Sequence, residues 1–121
     1  MRLLSLFDGT GSICQPFIAA GWQCQRVDLD GKHGATVVSD IRQWDYSAEP
    51  IPDVIFAGVP CEQYSIARTT ARTPRNFLLA DELAATTWRI IKHFWDLNPE
   101  GLRWFIENPG SSLLWKRPIS D

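Results

Sequence analysis

The 121-residue sequence has no Cys-x-x-Cys pair, no apolar run of membrane-spanning length and no excess of basic charge. Its three cysteines, Cys14, Cys24 and Cys61, are odd in number and widely spaced. That argues against a disulfide framework or a zinc site and for a reducing, cytoplasmic setting. The opening MRLLSLFDGTGS lacks the apolar length and the cleavage site of a secretory signal. The expectation is a protein with no metal and no membrane partner. The net charge of −2 counts mildly against nucleic acid, since domains that bind it are often basic. Local distribution matters more: Arg68, Arg72 and Arg75 fall in a polar stretch without an acid among them. No internal repeat, low-complexity segment or linker interrupts the chain, so residues 1–121 are expected to form a single domain. Six tryptophans are many for this length, and large aromatics either fill a core or wait at an interface.

What is present is an alternation of short apolar runs and helical patterns. Leu3–Phe7 reads as a buried strand ended by Asp8-Gly9-Thr10-Gly11-Ser12. Ile13–Ala20 has helical spacing and is closed by Gly21. Further strands are expected at Gln23–Asp28, Thr36–Val38, Asp53–Ala57 and Leu102–Ile106. A helix is expected from Ala80 to about Leu97, with Leu83, Ile90, Ile91 and Phe94 inward, and Arg68–Asn76 reads as a loop. Strands alternating with helices predict an α/β fold, a mostly parallel sheet with helices on both faces. Ligands of such sheets bind beyond the carboxyl ends of the strands. Asp8-Gly9, Asp28, Asp40, Pro60-Cys61 and Glu107-Asn108 all fall at such ends, which points to one site.

A strand followed by Gly-x-Gly and a helix lets a ligand approach the backbone closely. The third glycine of the dinucleotide fingerprint is missing, so a nucleoside without pyrophosphate is the better match. Asp28 is placed to accept from ribose hydroxyls and Asp40 from an adenine amino group. The plainer alternative is a tight turn at Gly9 and Gly11 with helix-capping aspartates. Cys61 follows a proline at a strand end, where exposure and a nearby helix or loop N-terminus favour a thiolate. Cys14 and Cys24, in apolar periodic contexts, read as buried structural residues. Most free cysteines are core residues, and that reading stays open for Cys61 too. Glu107 ends an apolar strand, surroundings that raise a carboxyl pKa. A helix cap or a salt bridge to Arg103 or Lys116 is its alternative. A nucleophilic thiol and a proton-handling carboxylate on neighbouring strands make a covalent-catalysis pair.

These residues resemble the motifs of the cytosine-C5 DNA methyltransferases, in order and over nearly the whole chain. Leu6–Ser12 resembles the family's first motif, Asp28 its acidic ribose ligand, and Asp40-Ile41 its Asp-Ile step at adenine. Asp53–Cys61 through Ser65 resembles the nucleophile motif and is the most specific match. Glu107-Asn108-Pro109 is similar to the family's Glu-Asn-Val. The likeness is nearest to the short methylase-like proteins of bacteriophages, which implies the cytoplasm of a bacterium or of a phage-infected host.

The resemblance implies a Rossmann-like methyltransferase fold that uses S-adenosylmethionine and methylates C5 of cytosine in DNA through a covalent cysteine adduct. Cofactor contacts would come from Phe7, Asp8, Gly9, Gly11, Ser12, Asp28, Leu29, Asp40, Ile41 and Pro60. Cys61 would attack C6 of a flipped cytosine and Glu107 would hold the ring at N3 and N4. Ser65 would help place the following loop, with Arg68, Arg72 and Arg75 on DNA phosphates or else on a solvated surface. There are departures. No Gln-x-Arg-x-Arg motif follows Glu107, Pro109 replaces valine, and Glu62-Gln63-Tyr64 is unusual after the cysteine. The expected fold is therefore C-terminally incomplete, without a target-recognition domain, and a second chain supplying that region is one expected partner. The rivals are a tRNA cytosine methyltransferase and a methyltransferase-like module that binds cofactor or a partner without turnover. A methyltransferase acting on exocyclic nitrogen would need Asn or Asp before Pro-Pro-aromatic, which Gly58-Val59-Pro60-Cys61 does not offer.

Overall fold

The computed structural model describes residues 1–9, 11–59 and 77–107. Five strands form one parallel sheet in the order β3-β2-β1-β4-β5. They are β1 (Arg2–Leu6), β2 (Gln23–Asp28), β3 (Val37–Val38), β4 (Val54–Ala57) and β5 (Arg103–Ile106). Helix α1 (Cys14–Ala19) lies between β1 and β2, and α2 (Phe77–Leu97) between β4 and β5. Strand order grows one way from β1 to β3 and the other way from β4 to β5. The switch point is therefore at the carboxyl ends of β1 and β4, where α/β sheets open a crevice.

β1 is central and buried on both faces, which explains its nearly unbroken apolar sequence. Alternation then divides the two layers. Leu4 and Leu6 join Val27, Ile55 and Ala57 in one cluster with Ile90, Ile91 and Phe94 of α2. Leu3 and Ser5 point the other way, toward the face where Cys14 of α1 is buried. The register Leu4↔Ile55 and Leu6↔Ala57 keeps each layer's side chains in line. Trp104 of β5 extends the α2 layer and meets Trp88 edge-on, with ring centroids 5.5 Å apart.

Gly21, with φ of +86°, ends α1 in a left-handed residue. The Trp22 N–H donates to the Phe17 carbonyl and the Gly21 N–H to that of Ile18. The rings of Phe17 and Trp22 close the same end at 4.9 Å, the apolar contact such a terminus calls for. Pro16 fits in the first turn, where its missing N–H has no helical partner to lose.

The expected elements all occur, with ends shifted by a residue or a few. α2 starts at Phe77 rather than Ala80, and α1 covers Cys14–Ala19 rather than Ile13–Ala20. Cys24 differs from its expected burial: it lies half-buried on β2, beside the fully buried Cys14. Among the described residues no helix is long and apolar enough to cross a membrane. No group of three or more His, Cys, Asp or Glu could hold a metal there either.

Candidate nucleoside site

A cavity of about 370 Å³ opens at the carboxyl ends of the strands. Phe7 enters from the end of β1, Asp28 and Leu29 from β2, and Gly58 from β4. Ser39, Asp40, Ile41 and Arg42 come from the segment after β3, and Leu79 and Leu83 from α2. The size is that of a small-molecule site, and the lining mixes apolar walls with a few polar groups.

The turn after β1 is shaped by backbone geometry that most residues avoid. Phe7 takes a positive φ of 55°, and Gly9 and Gly11 follow at +60° and +81°. A left-handed phenylalanine costs roughly 1–2 kcal/mol and persists only where its surroundings enforce it. Here the flanking backbone is pinned. The Asp8 N–H donates to the Val27 carbonyl at 3.2 Å and the Gly58 N–H to the Leu6 carbonyl at 3.2 Å. Gly11 is further constrained, since a Cβ there would collide with the Arg26 guanidinium.

Asp28 stands at the junction of this turn and the cavity. Its Oδ2 accepts the Gly9 N–H at 2.6 Å and its Oδ1 the Asp30 N–H at 2.9 Å. A carboxylate has about four acceptor positions, so each oxygen keeps room for a further donor. Asp40 is engaged differently. The Arg42 guanidinium grips both its oxygens and reaches across to Glu82 of α2 at 2.9 Å. The Arg42 side chain and backbone bonds hold the Asp40 carboxyl below the usual range.

Asp8, expected among the cofactor contacts, turns its carboxylate into the protein. Oδ1 accepts from the Ser5 hydroxyl at 2.9 Å and the Cys14 thiol at 3.3 Å, and Oδ2 from Arg26 Nε at 2.7 Å. The same guanidinium donates to the carbonyls of His33 and Gly34 at 2.8 and 3.0 Å. Burial, and then the hydrogen bond to Asp8, push the Cys14 thiol up to about 12. That fits a structural cysteine.

The cavity thus brings together Phe7, Asp28, Leu29, Asp40 and Ile41 of the expected contacts. Gly9 and Gly11 form the adjoining turn, and Ser12 is exposed beside it. Pro60, Cys61, Ser65, Arg68, Arg72 and Arg75 lie outside the described residues. Glu107, which directly follows β5, is exposed and not surrounded by apolar groups. Its backbone N–H donates to the Ala57 carbonyl at 2.8 Å, which ties it to the end of β4. The expected bridge to Arg103 is not made: that guanidinium donates to the Glu100 and Leu102 carbonyls.

Two arginines were missed by the sequence reading. Arg26 carried a signal, since it shares one face of β2 with Cys24 and Asp28, and an arginine within a strand needs a partner if covered. Arg42 had only its spacing from Asp40, and its reach to Glu82 depends on how α2 packs. Comparison with family models and with curated proteins returns no match to this chain.

Proposed function

We propose that the cavity binds the adenosine part of S-adenosylmethionine and that the chain is a cytosine-C5 methyltransferase domain. The observation that carries the first half is the placing of Asp28 and Asp40 around one cavity beside the glycine turn. Asp28 retains acceptor positions suited to the two vicinal hydroxyls of a ribose. Phe7, Leu29 and Leu83 offer apolar walls to a purine, and Asp40 lies near enough to share its edge. The two carboxylates are acceptors that suit the hydroxyl and amino donors of a nucleoside.

S-adenosylmethionine, when bound, supplies an electrophilic methyl group. The protein's part in the chemistry rests on the motif resemblance. The Cys61 thiolate adds to C6 of a cytosine held out of its helix, which gives C5 carbanion character. Glu107 holds N3 and N4 of the ring, and its exposure leaves it accessible to a base. C5 would bond to that methyl group, leaving S-adenosylhomocysteine, and transfer of the C5 proton to solvent with expulsion of the Cys61 thiolate would restore the aromatic ring. Substrate DNA and the arginines Arg68, Arg72 and Arg75 belong to this same reading.

Calorimetric titration with S-adenosylhomocysteine tests the pocket. The expected result is micromolar binding that Asp28→Ala weakens about tenfold or more, the loss of hydrogen bonds to a charged group. Unchanged affinity would remove the ribose contact. Trapping on 5-fluorocytosine DNA tests the nucleophile. Cys61→Ser should abolish the adduct and spare cofactor binding, and adduct formation by the variant at the normal level would overturn that role.

A further inference from the structure

The Arg42 bridge occupies the carboxylate that an adenine amino group would need. Asp40 Oδ1 accepts the Arg42 backbone N–H at 3.0 Å and Nε at 3.0 Å. Oδ2 accepts Nη2 at 2.6 Å and a longer share of Nε at 3.1 Å. These contacts come from three N–H groups of one residue, with the Nε hydrogen shared between both oxygens, and they take up most of the roughly four acceptor positions of a carboxylate. Asp28, the other cavity carboxylate, has two such contacts among the described residues. The Arg42 fork also has a second anchor available in Glu82, bonded through Nη1, on the helix that walls the cavity.

We propose that Arg42 is a specificity-determining gate over Asp40. This rests on the adenosine reading of the cavity and deepens it. In this arrangement the guanidinium fork closes the acceptor site. When a 6-aminopurine enters, Arg42 gives up part of its hold on Asp40 and keeps Glu82, and the exocyclic N–H takes the vacated position. A 6-oxopurine has no donor there and finds the fork in place. Both partners are partly open to water, with side chains 19% and 37% exposed, so exchange of one donor for another is cheap. The gate thus restrains binding of a 6-aminopurine, whose amino group must displace the fork, and narrows its advantage over a 6-oxopurine.

Removing the fork should tighten binding of amino-purine ligands alone. The experiment is titration of the full chain and of Arg42→Ala with S-adenosylhomocysteine and with its 6-oxo counterpart, S-inosylhomocysteine. The expected gain for the variant is about fivefold for the amino ligand and none for the oxo ligand, the scale of an exposed ion pair. Arg42→Lys, which keeps the charge without the fork, should show a smaller gain in the same direction. Equal gains for both ligands would mean that Arg42 only fills space, and weaker binding of both that it is itself a ligand contact; either overturns the gate. Binding of the amino ligand unchanged by Arg42→Ala overturns it as well, with the adenosine reading left standing. No binding of either ligand by any of the proteins removes the adenosine reading, and the gate with it.

Discussion

Two aspartate–arginine pairs flank the same end of the sheet, and their closest contacts are nearly equal, 2.7 Å for Asp8–Arg26 and 2.6 Å for Asp40–Arg42. What separates them is everything around the contact. The Asp8 side chain is fully covered and that of Arg26 12% exposed, against 19% and 37% in the second pair. Asp8 gathers donors from β1, α1 and β2, whereas all four bonds to Asp40 come from a residue two positions away. The first pair joins three segments of the fold. The second is a local clasp beside the cavity. Contact distance is a poor guide to what an ion pair does; the surrounding dielectric and the origin of the other donors decide it.

The strongest way to break the contrast is at Arg26. Arg26→Ala leaves Asp8 buried with two neutral donors and should cost about 3–5 kcal/mol of stability, the range for orphaning one member of a buried pair. Urea unfolding checks this, and a loss under about 1 kcal/mol would mean that water replaces the guanidinium at no great cost. Ser5→Ala removes one acceptor bond of the same group and should cost less, about 1–3 kcal/mol. Arg42→Ala should leave stability close to that of the parent, as removal of an exposed ion pair does.

The pH scale separates the two pairs at its two ends. Cys14, bonded to Asp8, has its thiol value raised from 9.0 to about 12. The unfolded chain ionises first, so stability should decline as pH rises from about 9 toward 12, and the decline attributable to Cys14 should vanish in Cys14→Ala. Asp40 is shifted the other way. Its small contribution is present above its ordinary value of 3.8 and lost as pH falls through the lower folded value. Arg42→Ala should remove that acid-side dependence, measurable as converging unfolding curves of parent and variant at low pH.

Much of this architecture was legible in the residues. Apolar runs marked β1 and β4 because strands inside a parallel sheet are covered on both faces, whereas β2 (QCQRVD) mixes polar and apolar residues. Gly21 marked the end of α1 because only glycine is comfortable at that φ. Phe7, Asp28, Leu29, Asp40 and Ile41 were placed around one cavity because they follow strand ends, and the topology gathers strand ends. Side-chain direction was not legible. Asp8 sits in the motif as Asp28 does, yet its carboxylate turns inward because Arg26, Ser5 and Cys14 converge there from different parts of the chain. The exposure of Glu107 was not legible either, since the apolar residues of β5 before it do not say what covers the strand's end.

The order of the strands also bears on how the chain acquires its shape. β1 lies between β2, which follows it closely, and β4, just before which Asp53 receives the Arg2 N–H on its carboxylate across 51 positions. Closing that distance costs roughly 3.5 kcal/mol of chain entropy before any constant term. On a ribosome, β1 and β2 can pair through α1 well before β4 has emerged. The cavity has Phe7 and Asp28 from the early half and Gly58 and Leu83 from the late half, so its walls exist together only once the long loop has closed. A nucleoside taken up there would select completed molecules over half-assembled ones and draw the nascent ensemble toward the finished sheet.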